Sequence, residues 1–242
     1  MKVKSLTVIG CLVMCMICPA AFADDNSKYE LFFGYSLMKI GGGHDDIDDE
    51  RDYLNFNDGG GFKKSNFLEK GFTAAFTYNF TSIAGVETVF RYNSGYILSE
   101  KWKEFSYYYT ENHERGYKRR DIALLIGPRL TFRSGAIAPF VHGLVGLSHD
   151  RVASAYDIKY EDFYGNRDSA SDSETLNSNT SLGVALGGGL DILVSDNIAI
   201  RAIQADYYMA NHPARLYNTT DSGNKRYDNI NLSFGIAFRF GN

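Results

Sequence analysis

The chain has 242 residues, with 25 lysines and arginines against 29 aspartates and glutamates, and its formal net charge is -4. This mildly acidic balance gives no electrostatic basis for binding nucleic acid. Hydrophobic residues make up 44% of the chain, which is enough for a core but too little for a bundle of membrane helices. With 17 Tyr, 17 Phe, 24 Gly and only 4 Pro, the composition favours strands and tight turns, so an all-β fold is predicted.

Residues 1–23 have the pattern of a cleaved signal peptide for export. A lysine-bearing start and an apolar run from Leu6 to Ile17 precede Ala21-Phe22-Ala23, which forms a small-x-small cleavage site. A lipoprotein processing site at Cys11 is the alternative, but it leaves only a short apolar stretch. Cleavage after Ala23 leaves residues 24–242 as one domain. It also removes all the cysteines, so the mature domain is predicted to have no disulfide and no thiol chemistry.

Eight segments of the mature domain alternate apolar residues with small or polar ones, which is the period-two pattern of a β-strand. In the last segment every second residue from Ile230 to Phe240 is apolar. The eight segments are Tyr29–Ile40, Gly71–Phe80, Gly85–Asn93, Asp121–Phe132, Phe140–Ser148, Ser181–Leu193, Ile198–Tyr208 and Ile230–Phe240.

The connections between these segments alternate strictly in length. Short links at residues 81–84, 133–139 and 194–197 alternate with long polar links at 41–70, 94–120, 149–180 and 209–229. A soluble sandwich has no reason for this rhythm, whereas an outer-membrane barrel requires it. In lipid only a closed sheet pairs every backbone group of its strands. The sequence therefore predicts an eight-stranded antiparallel up-and-down transmembrane β-barrel with long extracellular loops and short periplasmic turns.

Four stretches of the mature domain carry a family resemblance: Ile126-Gly127-Pro128-Arg129, Pro139 to Gly146, Gly187 to Asp191 and Arg201 to Tyr207. They resemble the bacterial outer-membrane β-barrel family that includes the OmpA-like eight-stranded domains and porin-like proteins. The resemblance implies a place in the outer membrane of a Gram-negative bacterium, in contact with lipid and lipopolysaccharide, but it fixes location better than function.

The C-terminus carries a second resemblance. Ser233, Gly235, Phe238 and Phe240 look like the signal by which the outer-membrane assembly machinery recognises its clients. One departure is that Gly241-Asn242 follow the final aromatic residue, where many family members end. The resemblance therefore implies the assembly machinery as a partner.

The inward register places a set of charged residues inside a narrow barrel, where an unpaired charge is costly. Glu87 with Arg129, and Asp191 with Arg201, flank short turns on neighbouring strands and are predicted to pair. Strict alternation from Arg201 turns Asp206 outward, so placing both inside requires a β-bulge, and their direction stays open. A structural network is favoured over an ion path because eight strands leave little room. The predicted interior set is Glu87, Arg91, Arg129, Asp191, Arg201, Asp206 and Arg239.

The sequence predicts no catalytic residues, no cofactor and no metal site. None of the five histidines has a serine two residues on, the spacing that would place both on one face of a strand. His142 is predicted to be an interior histidine, while His149 and Ser148 point to opposite faces. The acidic stretch at residues 44–52 is interpreted as a solvated loop, and cation binding there stays open.

The second long link is rich in aromatic residues whose alternation suggests that strands three and four continue above the membrane. These are either part of a membrane-interface girdle or an adhesive surface. They are Trp102, Phe105, Tyr107, Tyr108 and Tyr109. The predicted function is a non-enzymatic, structural or surface-interaction role, such as adhesion or ligand binding, through the extracellular loops. The alternatives are a narrow small-solute pore and a lipid-A-modifying enzyme.

Overall fold

The computed structural model describes residues 27–41, 52, 55, 61, 63–64, 68–133, 135–213 and 224–241. The predicted signal peptide and nearly all of the acidic stretch lie outside these residues. Eight long strands are β1 Tyr29–Gly41, β2 Leu68–Asn79, β3 Ala84–Phe105, β4 Tyr109–Thr131, β5 Ile137–Asp162, β6 Arg167–Ser195, β7 Ile198–Pro213 and β8 Asn224–Phe240. Within the described residues, no helix is both long enough and apolar enough to cross a membrane.

Each strand pairs antiparallel with the next one in sequence, and the sheet closes on itself. β1 pairs with β8 from Tyr29 opposite Phe240 to Gly41 opposite Asp228. The short turns at 80–83, 132–136 and 196–197 join strands at one end. The predicted fold class, an all-β eight-stranded antiparallel up-and-down barrel, is confirmed.

The two faces of the barrel wall differ as the alternation predicts. On β8 the side chains of Phe234, Ile236 and Phe238 are exposed, while Ser233 and Arg239 are buried. The same division holds around the ring, so the outer surface is a continuous apolar band suited to lipid. At the short-turn end the Tyr29 ring lies 5.6 Å from the rings of both Tyr78 and Phe240, as part of an aromatic girdle.

The second and third long links, residues 94–120 and 149–180, lie at the long-loop end of the barrel as predicted, but most of their residues are paired strand. β3 and β4 stay paired up to Phe105 opposite Thr110, and β5 and β6 stay paired up to Glu161 opposite Arg167. The turns are only residues 106–108 and 163–166. Near the turns both faces of the strands meet water, so the regular alternation of the membrane segments weakens there, whereas Ile97, Leu98, Tyr117 and Val152 lower down form a buried cluster. The predicted continuation of strands three and four is confirmed.

β3 to β6 therefore rise beyond the apolar band as a four-stranded sheet, here called the wall (residues 95–119 and 151–182). β4 and β5 pair along its whole height, up to Tyr109 opposite Asp162. Two edges of the wall are open. Among the described residues, β2 leaves β3 at Ser94, above which only Lys63–Lys64 pairs with it, and β7 leaves β6 at Val184. The edge on β6 is rich in serine and acidic residues, which discourage pairing with another strand.

Candidate functional site

All seven predicted interior charges lie inside the barrel, each no more than 4% exposed. The direction of Arg201 and Asp206 is settled by a β-bulge in β7. Arg201 is opposite Gly235 and Gln204 is opposite Ser233, so Ala202 and Ile203 together occupy the space of one residue. Both face outward, and the register is shifted so that Arg201, Gln204 and Asp206 all point inward.

Arg129 is the centre of the interior network. Its guanidinium contacts Glu87 at 3.1 Å, Asp191 at 2.9 Å and Glu30 at 3.4 Å. The Arg201 Nε atom lies 2.8 Å from the Asp191 Oδ1 atom. The structure thus brings together both pairs that the sequence indicated. Because Arg129 and Arg201 each contact more than one carboxylate, the cost of removing these charges from water is offset.

His142 links two parts of the network across the lumen. Its Nδ1 atom lies 2.5 Å from Glu87 Oε2, and its Nε2 atom lies 2.9 Å from Asp206 Oδ1. Only the imidazolium form donates from both nitrogens, so this geometry fits a positively charged ring. Arg91 contacts the other oxygen of Asp206 at 2.6 Å. The Asp206 carboxylate on β7 is therefore held by residues of β3 and β5, which are not its neighbours in the ring.

Two buried aromatic rings contact Arg129 and Arg201, and the sequence interpretation missed both. Phe140 has the Arg129 guanidinium carbon 3.9 Å from its ring centroid and that of Arg201 at 4.4 Å. Phe32 contacts Arg201 in the same way at 4.1 Å. These are cation–π contacts in a desolvated environment. Glu30, which contacts Arg133 at 2.9 Å, was also missed as a network member. The sequence signal that could have identified Glu30 was its position on the inward face of the first alternating segment.

The interior network closes the barrel to water at mid-height. The side chains of Arg91, Arg201, Glu87, His142 and Asp206 have no solvent-accessible surface. If a solute could pass through the barrel, water in the lumen would have to reach some of these side chains. The arrangement instead suits a structural plug that locks neighbouring strands and cross-lumen strands together.

The top of the wall has the opposite character, because it exposes large aromatic side chains. Phe105, Tyr107, Tyr108, Phe163 and Tyr164 are between 70% and 87% exposed. They come from the β3–β4 turn and the β5–β6 turn, which are joined by a 2.9 Å hydrogen bond from the Phe163 amide to the Tyr108 carbonyl. This aromatic tip, defined by these five residues, is the most prominent apolar surface outside the lipid-facing band.

The β5–β6 turn is rigidly built. The Asp162 carboxylate accepts hydrogen bonds from the amides of Tyr164 and Asn166 and from the Asn166 side chain. These bonds, the Asn166 side-chain bond foremost, hold the pKa of Asp162 below its usual range. Gly165 has a φ of 84°, a left-handed conformation that favours glycine. The turn therefore presents Phe163 and Tyr164 in a defined geometry.

The residues that resemble the assembly signal lie at the seam between β8 and β1. Ser233 is buried, with its hydroxyl 3.3 Å from that of Thr73, and Gly235 is opposite Gly34. Phe238 and Phe240 face outward and are 44% and 40% exposed. Ser233 and Gly235 therefore have a place in barrel closure, while the two phenylalanines belong to the lipid-facing surface.

A closed ring of eight strands, an apolar outer band and a charge-paired interior define an integral outer-membrane β-barrel. The chain belongs to the outer membrane protein beta-barrel domain family, whose model matches residues 9–240. The protein accordingly lies in the outer membrane.

Solved structures to which this chain is similar include proteins of several bacteria. Ail, the attachment invasion locus protein of Yersinia pestis, is 18% identical with a TM-score of 0.39, over 88% of this chain and 97% of that one. Neisserial surface protein A is 13% identical with a TM-score of 0.43, over 88% and 98% of the two chains. OprG from Pseudomonas aeruginosa is 11% identical with a TM-score of 0.41, over 88% and 96%. A sequence search of curated proteins found no match.

Proposed function

We propose that this protein is a non-enzymatic surface-interaction protein that binds a ligand outside the cell through the aromatic tip of its wall. The observation that carries the proposal is the tip itself. Five aromatic side chains stand in water at the end of two joined hairpins. Exposed apolar patches of this kind mark interaction sites, and aromatic residues are enriched where proteins bind partners.

The tip is too far from the apolar band to act as a membrane girdle. The ten residue steps from Gly95 to Phe105 span roughly 30 Å along β3 at the usual rise of a strand. At the long-loop end of the band, aromatic residues on the barrel surface such as Phe72 and Tyr92, whose rings lie 5.7 Å apart, are placed to form the girdle instead. Outer-membrane lipid and lipopolysaccharide are the expected partners of that band, and the tip is left for a partner beyond them.

A small-solute pore is the first alternative, and the interior argues against it. The buried network places Arg91, Arg201 and Glu87 where a solute would have to pass, with no accessible surface on their side chains. Purified protein in planar bilayers is expected to show no discrete conductance steps. Stable single-channel steps that change with Glu87→Gln would support the pore instead.

A lipid-A-modifying enzyme is the second alternative, and one contact on the lipid-facing side favours it. The His149 Nδ1 atom lies 2.8 Å from the Thr180 hydroxyl, across the β5–β6 pair just beyond the apolar band. A histidine beside a hydroxyl can activate a nucleophile, but the ring must also be oriented by a third group. In the part of the chain that the structure describes, no carboxylate contacts His149. Mass spectrometry of lipid A from expressing cells is therefore expected to show no change.

The first test concerns orientation, because the proposal requires the tip to face outside. Ser106 lies in the β3–β4 turn at the tip, and Asp196 lies in a short turn at the other end. A membrane-impermeant maleimide added to intact cells should label Ser106→Cys and leave Asp196→Cys unlabelled. Lysed cells, in which both positions react, are the control. The reverse pattern on intact cells would contradict the proposed orientation.

The second test measures binding. Cells that express the protein are compared for adhesion to cultured epithelial cells and to matrix-coated surfaces. Replacing Tyr107, Tyr108, Phe163 and Tyr164 by serine should lower adhesion at least tenfold, because aromatic anchors dominate binding energies. The matched control replaces four exposed charged residues on the sides of the wall by serine, two cationic and two acidic (Lys103, Lys159, Asp168 and Asp172). Equal adhesion by the tip variant and wild type, or an equal loss in the control, would contradict the proposal.

A further inference from the structure

Just below the aromatic tip, one face of the β3–β4 hairpin gathers two carboxylates and an imidazole. Trp102 is directly opposite His113. Two residues nearer the turn, Glu104 is directly opposite Glu111. The Glu111 Oε2 atom lies 3.0 Å from the His113 Nε2 atom, and the Glu104 Oε1 atom lies 3.9 Å from it. One potential ligand atom from each of the three residues lies within 4.8 Å of the other two.

The two carboxylates are an unusual cross-strand pair. Like charges placed directly opposite on neighbouring strands destabilise a sheet unless a cation lies between them. On this hairpin Lys101 and Arg115 are engaged with other carboxylates, and Lys103, next to Glu104, points to the opposite face of the strand. Lys101 contacts Glu114 at 2.9 Å, and Arg115 contacts Glu100 at 2.8 Å. Neither of those acidic residues belongs to the group of three.

His113 is held as a metal-binding histidine would be. It is only 6% exposed, and the Trp102 ring stacks on it at 4.9 Å with an interplanar angle of 4°. Its Nδ1 atom lies 2.7 Å from the Tyr156 hydroxyl. A proton on Nδ1 donated to Tyr156 leaves the Nε2 lone pair facing the two carboxylates. The buried Nε2 atom makes no hydrogen bond with any described residue.

We infer that Glu104, Glu111 and His113 bind a divalent transition-metal ion of the Zn²⁺ class. One imidazole nitrogen and two carboxylate oxygens are a donor set that Zn²⁺ accepts, with bonds of about 2.0 to 2.2 Å and water completing the coordination. Outer hydrogen bonds support both kinds of ligand, as metal sites require. Tyr156 orients the imidazole, and the Trp102 Nε1 atom donates to Glu104 Oε1 at 3.1 Å. The ion removes the repulsion between the carboxylates and fastens β3 to β4 below the tip.

The chain contains its own reporter, because Trp102 is its one tryptophan and stacks on the imidazole that would bind the ion. Protein purified from outer membranes in detergent, without a polyhistidine tag, is titrated with Co²⁺, which quenches tryptophan fluorescence at short range. Emission from Trp102 should fall saturably to less than half at about one equivalent, as expected for one three-ligand site. Excess Zn²⁺ should displace Co²⁺ and restore the emission.

Glu111→Gln keeps the size of the side chain and removes the anionic ligand, so half-quenching should need at least ten times more Co²⁺. Glu114→Gln is the matched control, because it lies on the same strand but points to the other face and contacts Lys101. It should titrate like the wild type. Migration of unheated and heated samples on gels shows that each variant is folded. A cation bound elsewhere persists in Glu111→Gln, so the difference between variants reports this site. Absence of saturable quenching, or identical titration of Glu111→Gln and wild type, means that His113 forms an ion pair without metal and overturns the inference.

Discussion

The barrel and the wall are parts of one continuous sheet, yet different forces hold them. In the barrel every strand has two partners, and the buried charges around Arg129 are each surrounded by opposite charges. In the upper part of the wall both faces meet water, and among the described residues two edges are largely unpaired. Ion pairs there are exposed, as in Lys101–Glu114, where the lysine side chain is 69% exposed. In lipid every backbone N–H and C=O group must be paired within the protein, whereas the wall is stabilised by local cross-strand side-chain contacts.

The largest expected difference between the two regions comes from removing one carboxylate from each. Glu87→Ala removes one buried carboxylate from both Arg129 and His142, which should lower the free energy of unfolding by about 3 to 5 kcal/mol. Glu114→Ala in the wall should cost less than about 1 kcal/mol, because exposed pairs contribute little. Denaturant unfolding of detergent-refolded protein measures both. Equal losses would mean that lumen water reaches Glu87.

A double-mutant cycle sharpens the first result. If Glu87 and Arg129 are partners, the loss in Glu87→Ala/Arg129→Ala should be smaller than the sum of the single losses by about 1 to 3 kcal/mol. Arg129 also contacts Asp191 and Glu30, so the recovery should be partial. Strictly additive losses would show that the 3.1 Å contact contributes no coupling.

The seam between β8 and β1 should tolerate no added side chain. A Cβ atom at Gly235 would lie 2.2 Å from the Phe33 carbonyl oxygen and 2.4 Å from the Gly34 Cα atom. Gly235→Ala should therefore destabilise the barrel by about 1 to 3 kcal/mol through overpacking. Gly143→Ala is the control, since its new Cβ would meet only the flexible end of Leu186 at 3.3 Å. The same unfolding measurement on both variants checks this, and wild-type stability for Gly235→Ala would contradict the close approach.

Phe240→Ala should cost less stability than Glu87→Ala or Gly235→Ala. The ring is 40% exposed on the outer face, so its loss should cost on the order of 1 kcal/mol of lipid-facing burial. Because Phe240 belongs to the pattern that resembles the assembly signal, the amount of heat-modifiable protein in outer membranes should fall much further than refolding in detergent. Unchanged assembly in cells, or an equal failure to refold, would make Phe240 a girdle residue only.

The sequence predicts a strand well where one face meets lipid and the other meets the lumen, and poorly where both faces meet water. Residues 230–240 alternate without a break because lipid and lumen face opposite sides, so the segment was predicted in full. Residues 167–180 have water on both sides, so their sequence does not alternate. A loop was therefore expected there, where β6 in fact continues. Glu87 and Arg129 could be predicted to pair because both lie next to short turns, at similar depth in the barrel, on neighbouring strands. The contacts of Asp206 with Arg91 and His142 cross the lumen, and chain order alone does not reveal them.

Because β3 and β4 stay paired from the barrel to their turn, the β3–β4 hairpin can change in length without a change in the barrel. Removing two residues from each arm of the β3–β4 hairpin lowers its end by about 7 Å and leaves every remaining side chain on its original face, because strands repeat every second residue. Removing one residue from each arm instead exchanges the faces. The height at which the hairpin stands above the membrane can thus vary in discrete steps, while the membrane-embedded ring stays unaltered.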